Sequence, residues 1–154
     1  MSWKTIETQA DADTLMEKFR KFHDGCIREA HLWTGHWVSS DRSMSVATGL
    51  DNQIRILIQV SWPKASAIEL WFEEITRFNL VPSPENSDSI IFGSVLLARD
   101  GTIFWSPEDC WDLPETFLDV SGLGDNYTWI TARKLRWREV DWLGEELRYG
   151  PKQR

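Results

Sequence analysis

Cysteine is scarce in this sequence, and its scarcity excludes two classes of small protein. Cys26 and Cys110 are the two cysteines; they lie far apart and form no CxxC pair. A disulfide framework or a structural zinc knuckle needs more cysteines at closer spacing. We therefore expect a chain that folds through its hydrophobic core in a reducing compartment, and we predict a cytoplasmic location.

Long apolar runs are also missing. No stretch approaches the ~18 consecutive apolar residues of a membrane-spanning helix, and the N-terminal segment MSWKTIETQA lacks the apolar core of a signal peptide. Of the 154 residues, 42% are hydrophobic and 27% are charged, which is typical of one soluble domain. We predict a single globular domain over residues 1–154 that has no membrane partner.

Positive charge is the third shortage. The formal net charge is −7, and no Lys or Arg occurs between Arg99 and Arg133. Proteins bind nucleic acids and anionic membranes through Lys and Arg side chains that neutralise phosphates, so we predict neither as a partner. We call residues 100–132, which contain no Lys or Arg, the base-free span. It contains seven carboxylates: Asp100, Glu108, Asp109, Asp112, Glu115, Asp119 and Asp125.

The stretch from Ile54 to Leu80 carries the clearest structural pattern. In its first half apolar residues recur at every second position, namely Ile54, Ile56, Ile58, Val60 and Trp62. Because side chains along a strand point to opposite faces, this alternation predicts a half-buried strand, which Pro63 ends. The alternation resumes at Ile68 and is interrupted at Glu73–Glu74 by a bulge or, alternatively, by a helical turn. A bulge would return Ile75, Phe78 and Leu80 to the core. We expect an antiparallel pair at the centre of a sheet.

One helix is predicted over Asp11–Asp24, where Leu15, Phe19 and Phe22 form an apolar stripe and Gly25 closes the end. Further strands are predicted over Cys26–Val38, Met44–Thr48, Ile90–Ala98, Thr102–Trp105 and Tyr127–Val140, with a hairpin turn at Asp100–Gly101 and a helical turn over Asp141–Leu147. The predicted fold class is α+β: a mostly antiparallel sheet of about six to eight strands, strongly curved or sandwich-like, with one N-terminal helix packed against it.

Histidine and cysteine do not form a convincing active site. His23, Asp24 and Cys26 are the residue types of a thiolate nucleophile and its base, but at a helix-to-strand junction they are better explained as cap and turn residues. His31 and His36 are five residues apart, so on one strand they point to opposite faces and cannot share a metal ion. We predict no catalytic residue, no cofactor and no metal site, which favours a protein that is not an enzyme.

Tryptophan is abundant, with ten residues in the chain. Trp71, Trp105, Trp111 and Trp129 are candidates for lining a ring-binding or sugar-binding groove; core packing is the other explanation. Two alternatives therefore stay open. One is a small-molecule or carbohydrate binder with a Trp-lined cleft, and the other is a homodimer formed through an exposed edge strand or Trp face.

The base-free span coincides with a long loop, residues 106–126, that carries aromatic side chains. Carboxylates around aromatic anchors suit a basic protein partner, because complementary charge speeds association and aromatic residues form binding hot spots. We predict a partner-binding surface made of Trp105, Glu108, Asp109, Trp111, Asp112, Glu115 and Asp119. The basic run Arg133-Lys134-x-Arg136-x-Arg138 would pair with acidic neighbours across the sheet.

Two patches resemble small bacterial protein families of unknown function. They are Phe22-His23-Asp24 followed by the extended segment Cys26–Ala30, and the spacing Ile68-x-Leu70-x-Phe72-x-x-Ile75-x-x-Phe78-x-Leu80. Some members of those families are considered immunity proteins of polymorphic toxin systems. The resemblance implies a compact β-rich domain without recognised enzymatic activity, and an immunity-like protein-binding role.

Overall fold

A computed structural model describes residues 2–62, 66–85, 87–109 and 124–151. Helix α1 spans Gln9–Lys18, and a 3-10 turn over Arg20–Phe22 follows it. The strands within these ranges are β1 Lys4–Ile6, β2 Gly25–Thr34, β3 Trp37–Val38, β4 Met44–Ser45, β5 Asn52–Val60, β6 Ala67–Asn79, β7 Val95–Arg99, β8 Thr102–Ser106 and β9 Trp129–Val140.

Seven of the described strands form one antiparallel sheet that does not close on itself. Its order is β2–β5–β6–β9–β8–β7, and β1 pairs with β9. β3 and β4 form a separate two-stranded ribbon. The prediction of an α+β fold, with a mostly antiparallel sheet and one N-terminal helix, is therefore confirmed.

The centre of the sheet is the predicted antiparallel pair. β5 pairs with β6 so that Ile56 lies opposite Leu70, and both side chains are fully buried. Alternate residues of β5 form the core on one face, which we call the inner face. Leu57 is buried on the opposite, outer face, where it packs with Ala67 and Val140.

β6 continues as a strand through Glu73–Glu74, so the helical turn is wrong, and the register shift that marks a bulge lies slightly further along the strand than predicted. Glu74 has a φ of 51°, and the register with β9 shifts between Ile75 and Arg77. Ile75 lies in the core at 2% exposure, as expected, but Phe78 is 39% exposed. Phe78 lies one residue before the end of β6 and is not part of the core, contrary to our expectation.

Helix α1 begins and ends earlier than predicted. The Thr8 hydroxyl accepts the N–H of Asp11 at 3.2 Å, and the Asp11 carboxylate accepts the N–H groups of Glu7 and Thr8 at 2.9 Å each. Together they form a capping box. The hydrogen bonds from the Glu7 and Thr8 backbone hold the pKa of Asp11 below its usual value. The helix ends at Lys18, so Gly25 does not close it; Gly25 is the first residue of β2.

The chain leaves the helix through an unusual turn. Arg20, Lys21 and Phe22 all have positive φ angles, of 51°, 54° and 59°. This conformation cannot continue a right-handed helix, which explains why the apolar stripe outlasts α1. Phe22 is nevertheless fully buried, as the stripe predicts.

Several strand boundaries also differ from the predictions. The segment Cys26–Val38 divides into β2 and β3. Regular pairing in β7 begins at Val95 instead of Ile90, because Ile91 forms an isolated bridge with Gly25 of β2. The Asp100–Gly101 hairpin is confirmed, with both turn residues at positive φ. Asp141–Leu147 forms no helix; it is an irregular segment.

The two faces of the sheet are covered by different parts of the chain. On the inner face, α1 and the 3-10 turn bury Leu15, Phe19 and Phe22 against the strands. The Gln9 amide also bonds to the backbone of β7, accepting the Ala98 N–H at 2.9 Å, and so occupies part of that edge strand. On the outer face lie the N-terminal residues around Trp3 and the segment 141–151.

Candidate functional site

Three loops meet at the end of the sheet where β6 finishes and β9 begins. The Asn79 amide donates to the carbonyls of Asp125 and Tyr127 at 2.9 Å each, and the Val81 N–H donates to the Thr128 hydroxyl at 2.8 Å. These bonds hold two of the loops together, and a bond from the Ser106 hydroxyl to the Thr128 carbonyl at 2.6 Å attaches the third. We call this region the acidic end; it comprises residues 80–92, 106–109 and 124–128.

Concave surfaces separate the loops of the acidic end. A cavity of about 430 Å³ has Glu85 and Ser87 on one side and residues 125–127 on the other. A narrower cleft beside it shares Tyr127 and is lined further along by Asp88 and Glu108. The carboxylates of all three loops therefore face neighbouring depressions of one surface.

The carboxylates of the acidic end have no basic partner among the described residues. They are Glu85, Asp88, Glu108, Asp109 and Asp125. No Lys or Arg occurs in the three loops, and none of the five carboxylates forms an ion pair with a described residue. Partial burial, and then the neighbouring Asp109 carboxylate, raise the pKa of Glu108 above its usual value. Negative charge is therefore concentrated here, and no described Lys or Arg compensates it through an ion pair.

Exposed apolar side chains accompany this charge. Ile90 is 50% exposed, Phe92 64% and Tyr127 40%. Large apolar side chains are normally exposed singly, whereas a group of them beside polar residues marks an interaction surface. The acidic end thus combines apolar contact area with an electrostatic field of one sign.

The predicted partner-binding residues divide into three groups. Glu108 and Asp109 lie at the acidic end. Trp105 does not lie on the surface: it is fully buried and its ring centroid is 5.9 Å from that of Phe72, so β8 directs it into the core. The remaining predicted residues, Trp111, Asp112, Glu115 and Asp119, lie outside the described residues. Sequence reasoning missed Glu85 and Asp88, which come from a different loop.

The four tryptophans proposed for a ligand groove do not share one surface. Trp105 packs in the inner core, whereas Trp71 lies on the outer face. Trp129 is 7% exposed and donates its indole N–H to the Gly124 carbonyl at 3.0 Å. Trp111 lies outside the described ranges. Because Trp71 and Trp105 are on opposite faces of the sheet, a single groove lined by both is excluded.

The outer face has an aromatic cluster of its own. Trp71 contacts Trp3 and Trp33, with ring centroids 5.2 and 6.3 Å apart. The Arg55 guanidinium lies over the Trp71 ring at 4.5 Å and forms no hydrogen bond or ion pair with a described residue. The alternation of β6, which places Trp71 opposite its apolar neighbours Leu70 and Phe72, was the signal for this cluster.

A buried carboxylate lies beside the aromatic cluster. Glu69 is fully buried, and its Oε1 accepts from Arg138 Nε at 3.0 Å and from Arg148 Nε at 3.1 Å. The Tyr149 hydroxyl donates to Oε2 at 2.8 Å. Burial, followed by the charge of Glu69, raises the pKa of Tyr149 well above its usual value.

The basic run of β9 finds its partners on β6, as predicted. Arg138 pairs with Glu69, Arg136 with Glu73 at 2.5 Å, and Lys134 with Glu74 at 3.5 Å. These cross-strand pairs compensate most of the positive charge of the run.

The contacts of the three histidines and Cys26 are those of packing and turn residues. The His23 ring lies 3.2 Å from Asp24, Nδ1 to Oδ1, and neither hydrogen bond nor ion pair joins it to Cys26. His36 Nδ1 accepts the Ala47 N–H at 3.0 Å, and His31 packs on Trp33. Within the described ranges, no three His, Cys, Asp or Glu side chains gather as metal ligands would.

Comparison with protein-family models, with curated proteins and with solved structures finds no match to this chain. Among the described residues, no helix has the length and apolar character needed to cross a membrane. Function is therefore inferred from the charge and geometry of the surfaces described above.

Proposed function

We propose that this protein is a non-enzymatic binding domain whose acidic end captures a basic segment of another protein. The observation that supports this proposal is a concentration of five carboxylates beside exposed apolar side chains. None of the five has an ion-pair partner in the part of the chain that the structure describes. The three loops that carry them are joined by hydrogen bonds, so the surface exists before a partner binds and less ordering is needed on association.

Electrostatics explains why the partner would be basic. Like charges held close together raise the free energy of the unbound surface, and a cationic segment relieves that repulsion. Lys and Arg approaching Glu108 would lower its raised pKa towards the usual value. Phe92 and Tyr127 supply apolar area that a purely electrostatic contact lacks, and aromatic side chains often dominate binding energy.

The identity of the partner is a further part of the proposal. If the resemblance to immunity proteins reflects shared function, the basic segment belongs to a toxin domain that the acidic end masks. The predicted acidic residues Asp112, Glu115 and Asp119 follow the described part of the loop in sequence and lie outside the described residues.

The test compares two triple variants that each remove three negative charges. The first, E85Q/D109N/D125N, neutralises exposed carboxylates of the acidic end. The matched control, E17Q/D141N/E146Q, neutralises exposed carboxylates elsewhere. Affinity capture from a lysate of the source cells, followed by mass spectrometry, should recover a basic protein with the wild type and the control but not with the acidic-end variant.

Salt and pH provide a second readout on the captured protein. Its affinity should fall as ionic strength rises, because exposed charges are screened over about 10 Å at 0.1 M salt. It should also fall as the pH is lowered through the raised pKa of Glu108, because the Glu108 carboxylate then loses its negative charge. Capture that is equally strong with both triple variants, or indifferent to salt, would contradict the assignment to this surface.

A second candidate function, self-association, is favoured by the β3–β4 ribbon. The exposed large apolar residues between positions 32 and 50 are Leu32, Trp37, Val38, Met44, Val46 and Leu50. Leu32 belongs to β2, which is an edge strand of the main sheet, and the others follow β2 along the chain. Edge strands readily pair with another chain. Light scattering at several concentrations tests this candidate: a concentration-dependent dimer that W37S/M44S abolishes supports it, and a constant monomer mass rejects it.

A further inference from the structure

A gap interrupts the edge of β9 that faces β8 and β1. β8 pairs with this edge up to Ala132, and β1 pairs with it from Leu135 onwards. Arg133 and Lys134 lie between the two pairings and have no partner on this edge among the described strands. Because successive residues of a strand direct their peptide groups to alternate edges, one peptide N–H and C=O pair faces the gap.

A cavity of about 540 Å³ occupies the gap. The end of β1 forms one wall through Thr5 and Glu7, and the β7–β8 hairpin forms the other through Gly101 and Thr102. Side chains of β9 line the remaining side. The volume falls in the range of sites that hold small molecules in proteins.

Positive charge dominates this cavity, although the chain as a whole carries a net charge of −7. Arg99, Arg133, Lys134 and Arg136 line it, against the two carboxylates Glu7 and Glu73. Arg99 already has an interaction partner, so the charge considered below is that of the three β9 residues.

Two of these positively charged side chains, Arg133 and Lys134, are available to a ligand. Arg133 is exposed and forms no hydrogen bond or ion pair with a described residue. Lys134 approaches Glu74 at 3.5 Å, but its side chain is 60% exposed, and such surface pairs contribute little free energy. Its ammonium group can therefore turn towards the cavity at little cost.

Arg136 is held in place by its neighbours. Glu73 Oε1 accepts from Nε at 2.9 Å and from one terminal nitrogen at 2.5 Å, while the guanidinium lies 3.9 Å from the Trp71 ring centroid. These contacts fix the plane of the group and leave other N–H donors unused. A guanidinium oriented in this way is preorganised to bind the oxygen atoms of an anion.

We propose that this cavity binds a small molecule bearing a phosphate or carboxylate group. Arg133, Lys134 and Arg136 would bind the anionic group, and the peptide group left open by the gap in the ladder would add a neutral hydrogen bond. Thr5 and Thr102, at opposite walls, would contact the rest of the molecule through their hydroxyls. This cavity is separate from the acidic end. It would bind anions, whereas the acidic end would bind a cationic segment.

Isothermal titration calorimetry of the full chain tests the proposal with three probes at one ionic strength. Ribose 5-phosphate carries the phosphate, citrate carries carboxylates, and ribose is the neutral control. We expect saturable binding of ribose 5-phosphate or of citrate, and the tighter of the two identifies the anionic group. Ribose should give no saturable signal.

Variants locate the binding. R133Q should weaken the bound probe by about tenfold, the loss expected for one charge-assisted contact. R77Q is the matched control: Arg77 is also an exposed strand residue without a side-chain partner among the described residues. It should leave the affinity unchanged, and thermal melts should show that both variants remain folded.

The proposal is overturned if neither anionic probe binds saturably at about 10 mM. It is also overturned if ribose binds as well as ribose 5-phosphate, or if R133Q and R77Q reduce the affinity equally. The acidic-end variant E85Q/D109N/D125N should bind the probe like the wild type. Failure of the proposed function would therefore leave this result unchanged, and the two proposals can fail separately.

Discussion

The inner and outer faces of the central sheet are built from the same strands but stabilised by different interactions. On β6, Ile68, Leu70 and Phe72 point inwards and are fully buried by apolar neighbours. Glu69 and Trp71, which lie between them, point outwards into ion pairs and indole contacts. A helix covers the inner face, while two irregular chain segments cover the outer face.

The comparison of the two faces shows how a sheet face is stabilised when no helix covers it. A helix brings a continuous apolar stripe and excludes water, so the inner face needs no polar groups. Irregular segments leave gaps that water reaches, and long side chains such as Arg138 and Arg148 can bury their stems there while keeping part of the charge solvated. The buried charge of Glu69 is tolerated because these guanidiniums and the Tyr149 hydroxyl satisfy it.

Truncation in the inner core should have the largest effect on stability. F72A removes a fully buried ring that packs on Trp105. We expect the free energy of unfolding to fall by about 3–5 kcal/mol, because a cavity remains where the ring was. Urea denaturation measures this loss, and a cost below about 1 kcal/mol would show that the inner face is less tightly packed than its burial indicates.

Neutralising the outer carboxylate should cost less. E69Q keeps the size of the side chain but leaves Arg138 and Arg148 without their shared carboxylate, which should destabilise the fold by about 2–3 kcal/mol. E73Q is the control, because Glu73 is partly exposed and pairs with Arg136 alone; its cost should be about 1 kcal/mol. Equal costs for both variants would mean that burial adds nothing to the Glu69 cluster.

The helix that covers the inner face depends on its cap. T8A removes the hydroxyl that accepts the Asp11 N–H and should destabilise the protein by about 1 kcal/mol. T14A, in the exposed interior of α1, is the control and should be nearly neutral. Thermal melts distinguish the two, and a T8A melt like that of the wild type would show that packing alone fixes the start of α1.

The capping box of α1, which covers the inner face, should also make the stability of the protein depend on acid pH. The pKa of Asp11 is lowered in the folded state, so its contribution to stability is present above the ordinary value of 3.8 and is lost as the pH falls through the folded pKa. D11N should remove this component of the acid dependence, as urea denaturation over a pH series would show.

The contribution of the outer face to stability should instead be lost at alkaline pH, through Tyr149. Replacing Tyr149 should have only a small effect at neutral pH. Because the pKa of Tyr149 is raised in the folded state, the unfolded chain loses this proton first, and stability falls as the pH rises above 10.0. Y149F should cost about 1 kcal/mol at pH 7 and should lack this component of the alkaline loss. An unchanged alkaline profile in Y149F would assign the pH dependence to other groups.

Sequence reasoning succeeded where one strand face was apolar. The alternation from Ile54 to Val60 predicted β5, and Asp100–Gly101 predicted the hairpin of β7 and β8, because both signals are local. It failed at the end of α1, where the apolar stripe continues through Phe22 although the backbone leaves the helix at Phe19. A periodic pattern records which side chains are buried, and a turn can bury them as well as a helix can.

The candidate site was predicted only in part for a related reason. Glu108 and Asp109 were found because charge runs are visible along the chain, whereas Glu85 and Asp88 join them only through the folding of a distant loop. Trp105 was misplaced because an aromatic residue near an acidic run looks the same in sequence whether it points to solvent or to the core. The cationic cavity has no local signal, since it is formed where β1 and β8 end against the same strand.

By itself the sequence determined the α+β class, the central antiparallel pair and the absence of Lys and Arg between Arg99 and Arg133. These features follow from residue periodicity and net charge, which act over a few positions along the chain. Tertiary structure alone decided which carboxylates gather without partners and where a gap in the sheet collects Arg133, Lys134 and Arg136. Both surfaces bring together residues tens of positions apart, and only the pairing of strands sets the distances between them.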